Sequence, residues 1–198
     1  MSEAPFLSEV DEVDRPPSGP GARVHPRAQD CEHSQLSRCG AFPDWRLEKA
    51  MRIALAADHA GYLLKDELVR WLGEQGHEVR DLGTNGPESV DYPQFGARVA
   101  EAVANGDAER GIAVCGSGIG ISIAVNRNPR CRCARVDDTL SAELAREHND
   151  ANVLALGGRL IGSDMAKACV AAFLETDFAG GRHQRRVDQL SQELQDSD

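Results

Sequence analysis

Near the middle of the chain, Cys115-Gly116-Ser117-Gly118-Ile119-Gly120 combines a thiol, a hydroxyl and closely spaced glycines. Glycine lets backbone N–H groups turn inward around a bound oxygen anion. A helix starting beyond such a loop adds partial positive charge, and that field favours the thiolate form of a cysteine. Cys115 is therefore a candidate base and the loop a candidate anion hole. Two plainer assignments compete. Cys115 could be a buried structural cysteine. The loop could be a dinucleotide fingerprint, but that needs the order G-x-G-x-x-G, and Ile121 holds the third glycine position while Gly120 comes one residue early.

Further polar groups invite the same question. Asp58-His59 is either a helix N-cap or a ligand pair. His148-Asn149-Asp150 is either a helix C-cap, with Asn in the left-handed region, or part of a site. Arg159, after Gly157-Gly158, is a surface ion-pair partner or an anion ligand. Arg182-His183-Gln184-Arg185-Arg186 opens the last helix. Bases there oppose the helix dipole, a conflict that a bound phosphate would remove; otherwise the run is a solvated face.

The elements that must carry these groups follow from hydrophobic periodicity. Ile53–Ala57 predicts a first strand. Leu64, Leu68, Trp71 and Leu72 give a helix face closed by Gly76. His77–Leu82 predicts a second strand, and Phe95, Val99, Ala102 and Val103 a second helix ended by Asn105-Gly106. Gly111–Val114 is the strand before Cys115, with a helix over Ser122–Asn126. Arg132–Val136 and Asn152–Leu156 predict two more strands, with a helix marked by Leu140 and Leu144 between them. Ala166, Cys169, Val170 and Phe173 face the core from the next helix, and Val187, Leu190 and Leu194 from the last. Such alternation predicts an α/β fold: a three-layer α/β/α sandwich with a Rossmann-like, five-stranded parallel sheet and a C-terminal helix. Ligands of such sheets bind beyond the carboxyl ends of the strands, where Asp58, His59, Cys115 and the glycine loop fall.

Composition bounds the partners. A chain of 198 residues can bury a real core. A net charge of −10 argues against nucleic acid, and no apolar run is long enough to span a membrane. The acidic, proline-rich N-terminus does not match a signal peptide, and the six cysteines contain no C-x-x-C pair. Free thiols in a reducing, cytoplasmic setting are expected. Residues 1–50 hold six of the nine prolines and no periodic apolar pattern, so disorder is expected there, with residues 51–198 as the folded domain. A regulatory tail and a mis-assigned start, with Met51 as the natural first residue, are the other accounts of that extension.

Taken together, Ala57-Asp58-His59-Ala60-Gly61, Asp91-Tyr92-Pro93, Cys115–Gly120, Glu147–Asn152 and Gly181–Val187 resemble the type B ribose-5-phosphate isomerases, a family shared with galactose-6-phosphate and allose-6-phosphate isomerases. The resemblance runs from residue 51 to about 190. Ser117 stands where the family has Ser or Thr, and this chain keeps Cys115 where some relatives use a glutamate. The resemblance implies aldose–ketose isomerisation of a phosphosugar, with ribose 5-phosphate as the leading substrate and no metal or other cofactor. The alternatives are a six-carbon 6-phosphate sugar, or a non-catalytic sugar-phosphate or nucleotide binder. It implies Cys115 as base, Ser117 with the N–H groups of Gly116, Gly118, Ile119 and Gly120 as anion hole, and His148 as ring-opening acid. Asp58 and Asn149 would bind sugar hydroxyls; His59, Arg159, Arg182 and Arg186 would bind phosphate or sugar.

Topology adds one expectation. A helix after a parallel strand returns toward the amino edge of the sheet. His148 precedes the fifth strand, so it belongs at the edge opposite Cys115. The two can serve one sugar if a second subunit brings its His148 to this Cys115, which predicts a homodimer, or a tetramer built on it, with shared active sites; the alternative is a short or tilted helix that folds His148 back within its own chain.

Overall fold

The computed structural model describes residues 50–191; the expectations for residues 1–49 and Leu194 lie outside them. Five strands, β1 (Arg52–Ala57), β2 (Glu78–Asp81), β3 (Arg110–Cys115), β4 (Cys133–Arg135) and β5 (Val153–Gly157), form one sheet in the order β2-β1-β3-β5-β4. Every neighbouring pair is parallel. The helices are α1 (Tyr62–Glu74), α2 (Tyr92–Ala104), α3 (Ile119–Val125), α4 (Thr139–Asn149), α5 (Ser163–Glu175) and α6 (Gln184–Ser191).

The period of two along each strand divides the core. Ile53, Leu55, Ile112, Val114, Leu154 and Leu156 pack with residues of α1, α4 and α5, including Leu64, Leu68 and Phe173. Ala56, Ala113, Cys115, Val153 and Ala155 face the other way, onto Phe95, Val99, Ile121 and Val125 of α2 and α3. Strands covered on both faces read as unbroken apolar runs, which is how β1, β3 and β5 stood out in the sequence. The expected three-layer α/β/α architecture is present.

Side-chain placement differs from expectation at several points. Leu140 is 61% exposed, because α4 turns Ala142, Ala145 and Arg146 inward instead. Small side chains let α4 lie close against α5, and Arg146 reaches buried acceptors. Leu190 is 62% exposed, whereas Val187 is buried. Helix α3 begins at Ile119, three residues before the expected start. Asp58 does not cap α1, whose N-cap is Gly61. At the end of α4 the left-handed residue is Asp150, not Asn149.

Candidate active site

From β1 the chain crosses outward to β2; from β3 it crosses to the other side of the sheet, to β4. The carboxyl ends of β1 and β3 therefore flank a topological switch point, the crevice where open α/β sheets bind ligands. A cleft of about 440 Å³ opens there, lined by Asp58, His59, Ala60, Tyr92, Cys115, Gly116, Ser117, Gly120, Arg159 and Leu160.

The loop after β3 builds one wall. Gly118 has φ +75°, and its N–H donates to Cys115 Sγ at 3.1 Å. A side chain at Gly118 would place Cβ 2.9 Å from the Leu156 carbonyl carbon. Ser117 Oγ accepts from the Ile119 N–H at 3.3 Å. Among the described residues the N–H groups of Ser117 and Gly120 have no protein partner, and both residues line the cleft. Helix α3 has only seven residues, so these oriented amides, rather than a long macrodipole, are the candidate anion donors.

The loop after β1 supplies the opposite wall. Asp58 Oδ1 accepts from the N–H groups of Ala60 (2.9 Å) and Gly61 (3.1 Å), leaving Oδ2 without a partner among the described residues. His59 Nδ1 lies 3.2 Å from the Val90 N–H and 3.3 Å from its carbonyl, which fixes the ring and leaves Nε2 for a ligand. Gly61 and Gly158 meet with almost no space between them: a Cβ on Gly158 would lie 3.2 Å from Gly61 Cα. Arg159 is exposed and has no carboxylate partner among the described residues.

Sequence reasoning missed Ala60, Tyr92 and Leu160 in the cleft lining, and the buried Lys65. The Tyr92 ring covers Gly120 so closely that a Cβ there would come within 2.6 Å of it; its signal was the Tyr-Pro pair opening α2. Lys65 is fully buried on α1, and its Nζ reaches Asp81 Oδ2 (2.6 Å), Asp66 Oδ1 (2.8 Å) and Asn85 Oδ1 (2.9 Å). It ties α1 to the segment that leads to Val90, and nothing local in the sequence announces it.

The remaining expected residues lie elsewhere. His148, on the last turn of α4, stacks on His183 with centroids 4.3 Å apart and planes 4° apart. Glu147 Oε2 is 3.8 Å from His148 Nε2. His183 Nε2 accepts from Arg182 Nε at 3.2 Å. Burial, together with the nearby charges of His148, Arg182 and Arg186, holds the pKa of His183 below the ordinary histidine value. Arg182 and Arg186 are exposed. Asn149 lines a different cleft of about 420 Å³, beside Arg132, Cys133 and Leu190. This group sits where α4 returns to the start of β5, whereas Gly157 at the far end of β5 pairs with Cys115. A strand of that length spans about 15 Å. Within one chain, then, Asp58, His59, Cys115, Gly116, Ser117, Gly120 and Arg159 converge, while His148, Asn149, Arg182 and Arg186 do not join them. Gly118 and Ile119 shape the loop without lining the cleft.

Among the described residues no three His, Cys, Asp or Glu side chains are grouped as a metal ion would require, and no helix is long and apolar enough to cross a membrane.

A doubly covered parallel sheet with a thiol and inward amides at its switch point defines a class of α/β enzyme for small anionic substrates. The sequence matches the ribose/galactose isomerase family over residues 53–190. Ribose-5-phosphate isomerase B of Escherichia coli is 46% identical over 140 residues, covering 71% of this chain and 94% of that one. D-erythrulose-4-phosphate isomerase of Pectobacterium atrosepticum is 37% identical over 141 residues, covering 71% and 93%. The solved structure of Clostridium thermocellum ribose-5-phosphate isomerase B superposes with a TM-score of 0.71 at 50% identity, covering 71% and 95%. The chain belongs to the ribose/galactose isomerase family, and is a phosphosugar isomerase of that family.

Proposed function

We propose that the enzyme interconverts D-ribose 5-phosphate and D-ribulose 5-phosphate, without a metal or other cofactor, using Cys115 as the base. The observation that carries this is the Cys115 thiol at the switch-point cleft, beside Ser117 and unpartnered loop amides. The names of the E. coli and C. thermocellum relatives support the five-carbon substrate.

In this mechanism the Cys115 thiolate takes the C2 proton of the open-chain aldose. The electron pair moves into the C1–C2 bond and the carbonyl oxygen becomes the enediolate oxygen. The Ser117 and Gly120 amides stabilise that charge as it develops. Ser117 Oγ passes a proton from O2 to O1, and the thiol returns its proton to C1, giving the ketose. Asp58 Oδ2 and Asn149 hold sugar hydroxyls; His59, Arg159, Arg182 and Arg186 hold the phosphate, the arginines through charge-assisted bonds. His148 protonates the ring oxygen as the C1–O4 bond breaks and the anomeric hydroxyl releases its proton to solvent, which opens the furanose to the aldehyde.

Base and ring-opening acid must both touch one pentose, so His148, Asn149, Arg182 and Arg186 come from a second copy in a two-fold dimer. Exposed apolar side chains near both half-sites support such a contact: Ile119 (53% exposed) and Ile123 (60%) on α3, Leu160 (57%) near Arg159, and Leu190 (62%) on α6.

Purified protein assayed with five- and six-carbon phosphosugars, with and without EDTA, tests the reading. Turnover should be highest with ribose 5-phosphate and indifferent to EDTA. A preference for allose or galactose 6-phosphate would move the assignment within the family, and binding without turnover would make the protein a sugar-phosphate binder.

A further inference from the structure

The turn that presents His148 is held by more charge than a helix end requires. Asp150 closes α4 with φ +46° and ψ +41°, a conformation for which Asn would serve as well. Its carboxylate is bracketed by two guanidinium groups: Oδ2 lies 2.6 Å from Arg132 Nη2 and Oδ1 lies 2.8 Å from Arg146 Nη1. Arg132 Nε also donates to the carbonyls of Asn149 (3.1 Å) and Asp150 (3.0 Å), acceptors that the helix end leaves open. Arg146, only 3% exposed, donates to the carbonyls of Ala151 (2.6 Å) and Thr176 (3.3 Å). Two parts of the chain thus meet on one carboxylate, the residue before β4 and the last turn of α4, and Arg146 in turn holds the Thr176 carbonyl at the start of the segment leading to Arg182 and His183. Nothing in the turn's backbone conformation calls for a negative charge. The charge keeps two arginines, one of them nearly buried, fixed on the carbonyls that follow His148.

We infer that Asp150, acting with Arg132, is a positioning residue that sets the orientation of His148 toward the ring oxygen of the sugar. This rests on His148 being the ring-opening acid, and two different reactions of the same enzyme separate the two ideas. Turnover of ribose 5-phosphate begins from a closed furanose and needs ring opening. Exchange of a C1 hydrogen of ribulose 5-phosphate with solvent deuterium does not, because that ketose has its O5 phosphorylated and cannot close a five-membered ring. Exchange needs only the base and the anion hole.

Asp150→Asn retains the left-handed turn and removes the charge. At saturating substrate it should lower ribose 5-phosphate turnover about tenfold, part of the roughly 10²–10⁴-fold effect of a general acid, while C1 exchange changes by less than about twofold. Arg132→Met should give the same split and carries the test if Asp150→Asn does not fold. An equal fall in both reactions would show a purely structural role, and no fall in either would show that the charge is idle; each overturns the inference. Failure of both variants to fold would do the same, making the pair a folding element. His148→Ala is the reference. If it shows no split, the ring-opening assignment fails; if it splits and the two positioning variants do not, only the inference about Asp150 fails.

Discussion

Gly118 and Cys115 are joined by a 3.1 Å contact from backbone N–H to sulfur, which holds the thiol at the end of β3 where the cleft begins. Cys115→Ser keeps an acceptor for that N–H, so the fold and substrate binding should survive. A hydroxyl is a far weaker base than a thiol near neutral pH, so kcat should fall by at least about 10²-fold. Steady-state kinetics alongside a binding measurement checks this, and near-normal kcat would remove Cys115 from its role. Serine at Cys131, Cys133 or Cys169 should leave kcat close to normal. Burial pushes all three thiols up, Cys169 to about 11, so they stay protonated where the enzyme works.

Gly118→Ala meets two obstacles at once: the positive φ and a backbone carbon 2.9 Å from the new Cβ. Holding a side chain in such a conformation costs about 1–3 kcal/mol. Urea unfolding should show a loss of at least that size, and kcat should fall because the turn that aims the amide at sulfur relaxes. A stable, fully active variant would mean that the loop tolerates another path.

Mixing inactive Cys115→Ser with inactive His148→Ala protein tests the shared site. After subunit exchange, a mixed dimer carries one site with both residues intact and one with neither, so part of the activity should return. No recovery, with exchange verified by a mass tag, would mean that each chain builds its own site.

Stability should decline on the acid side through His77. Its ring is buried, Nδ1 accepts from the Met51 N–H at 3.2 Å, and Nε2 has no partner among the described residues. Burial holds its pKa below the ordinary value of 6.5. As pH falls below that value the unfolded chain takes up a proton that the fold resists, so stability is full above about 6.5 and drops below it. His183 is lowered too and adds to the slope. His77→Asn keeps an acceptor for Met51 and does not titrate. Denaturation between about pH 6.5 and 5 should show a shallower decline in that variant; an unchanged slope would assign the effect elsewhere.

What the sequence made legible follows from local rules. The buried strands announced themselves as apolar runs because helices cover both faces, and the separation of Cys115 from His148 followed from the direction of a parallel crossover. What it hid depends on distant partners. Lys65 looks like a surface lysine until Asp81 and Asn85, which follow in sequence, fold back onto it. Leu140 looks like core until α5 selects the alanine face of α4. Tyr92 and Leu160 enter the cleft only once α2 and the loop after β5 are placed.

The close contact of Gly61 with Gly158, and of Gly118 with the end of β5, leaves no room for the inner loops to grow where they meet. Insertions there would drive backbone into backbone. Diversification of substrate length within such a scaffold is therefore channelled to the rim, to positions such as Tyr92, Arg159 and Leu160, and to whatever a neighbouring copy presents. The catalytic floor can stay constant while its walls drift.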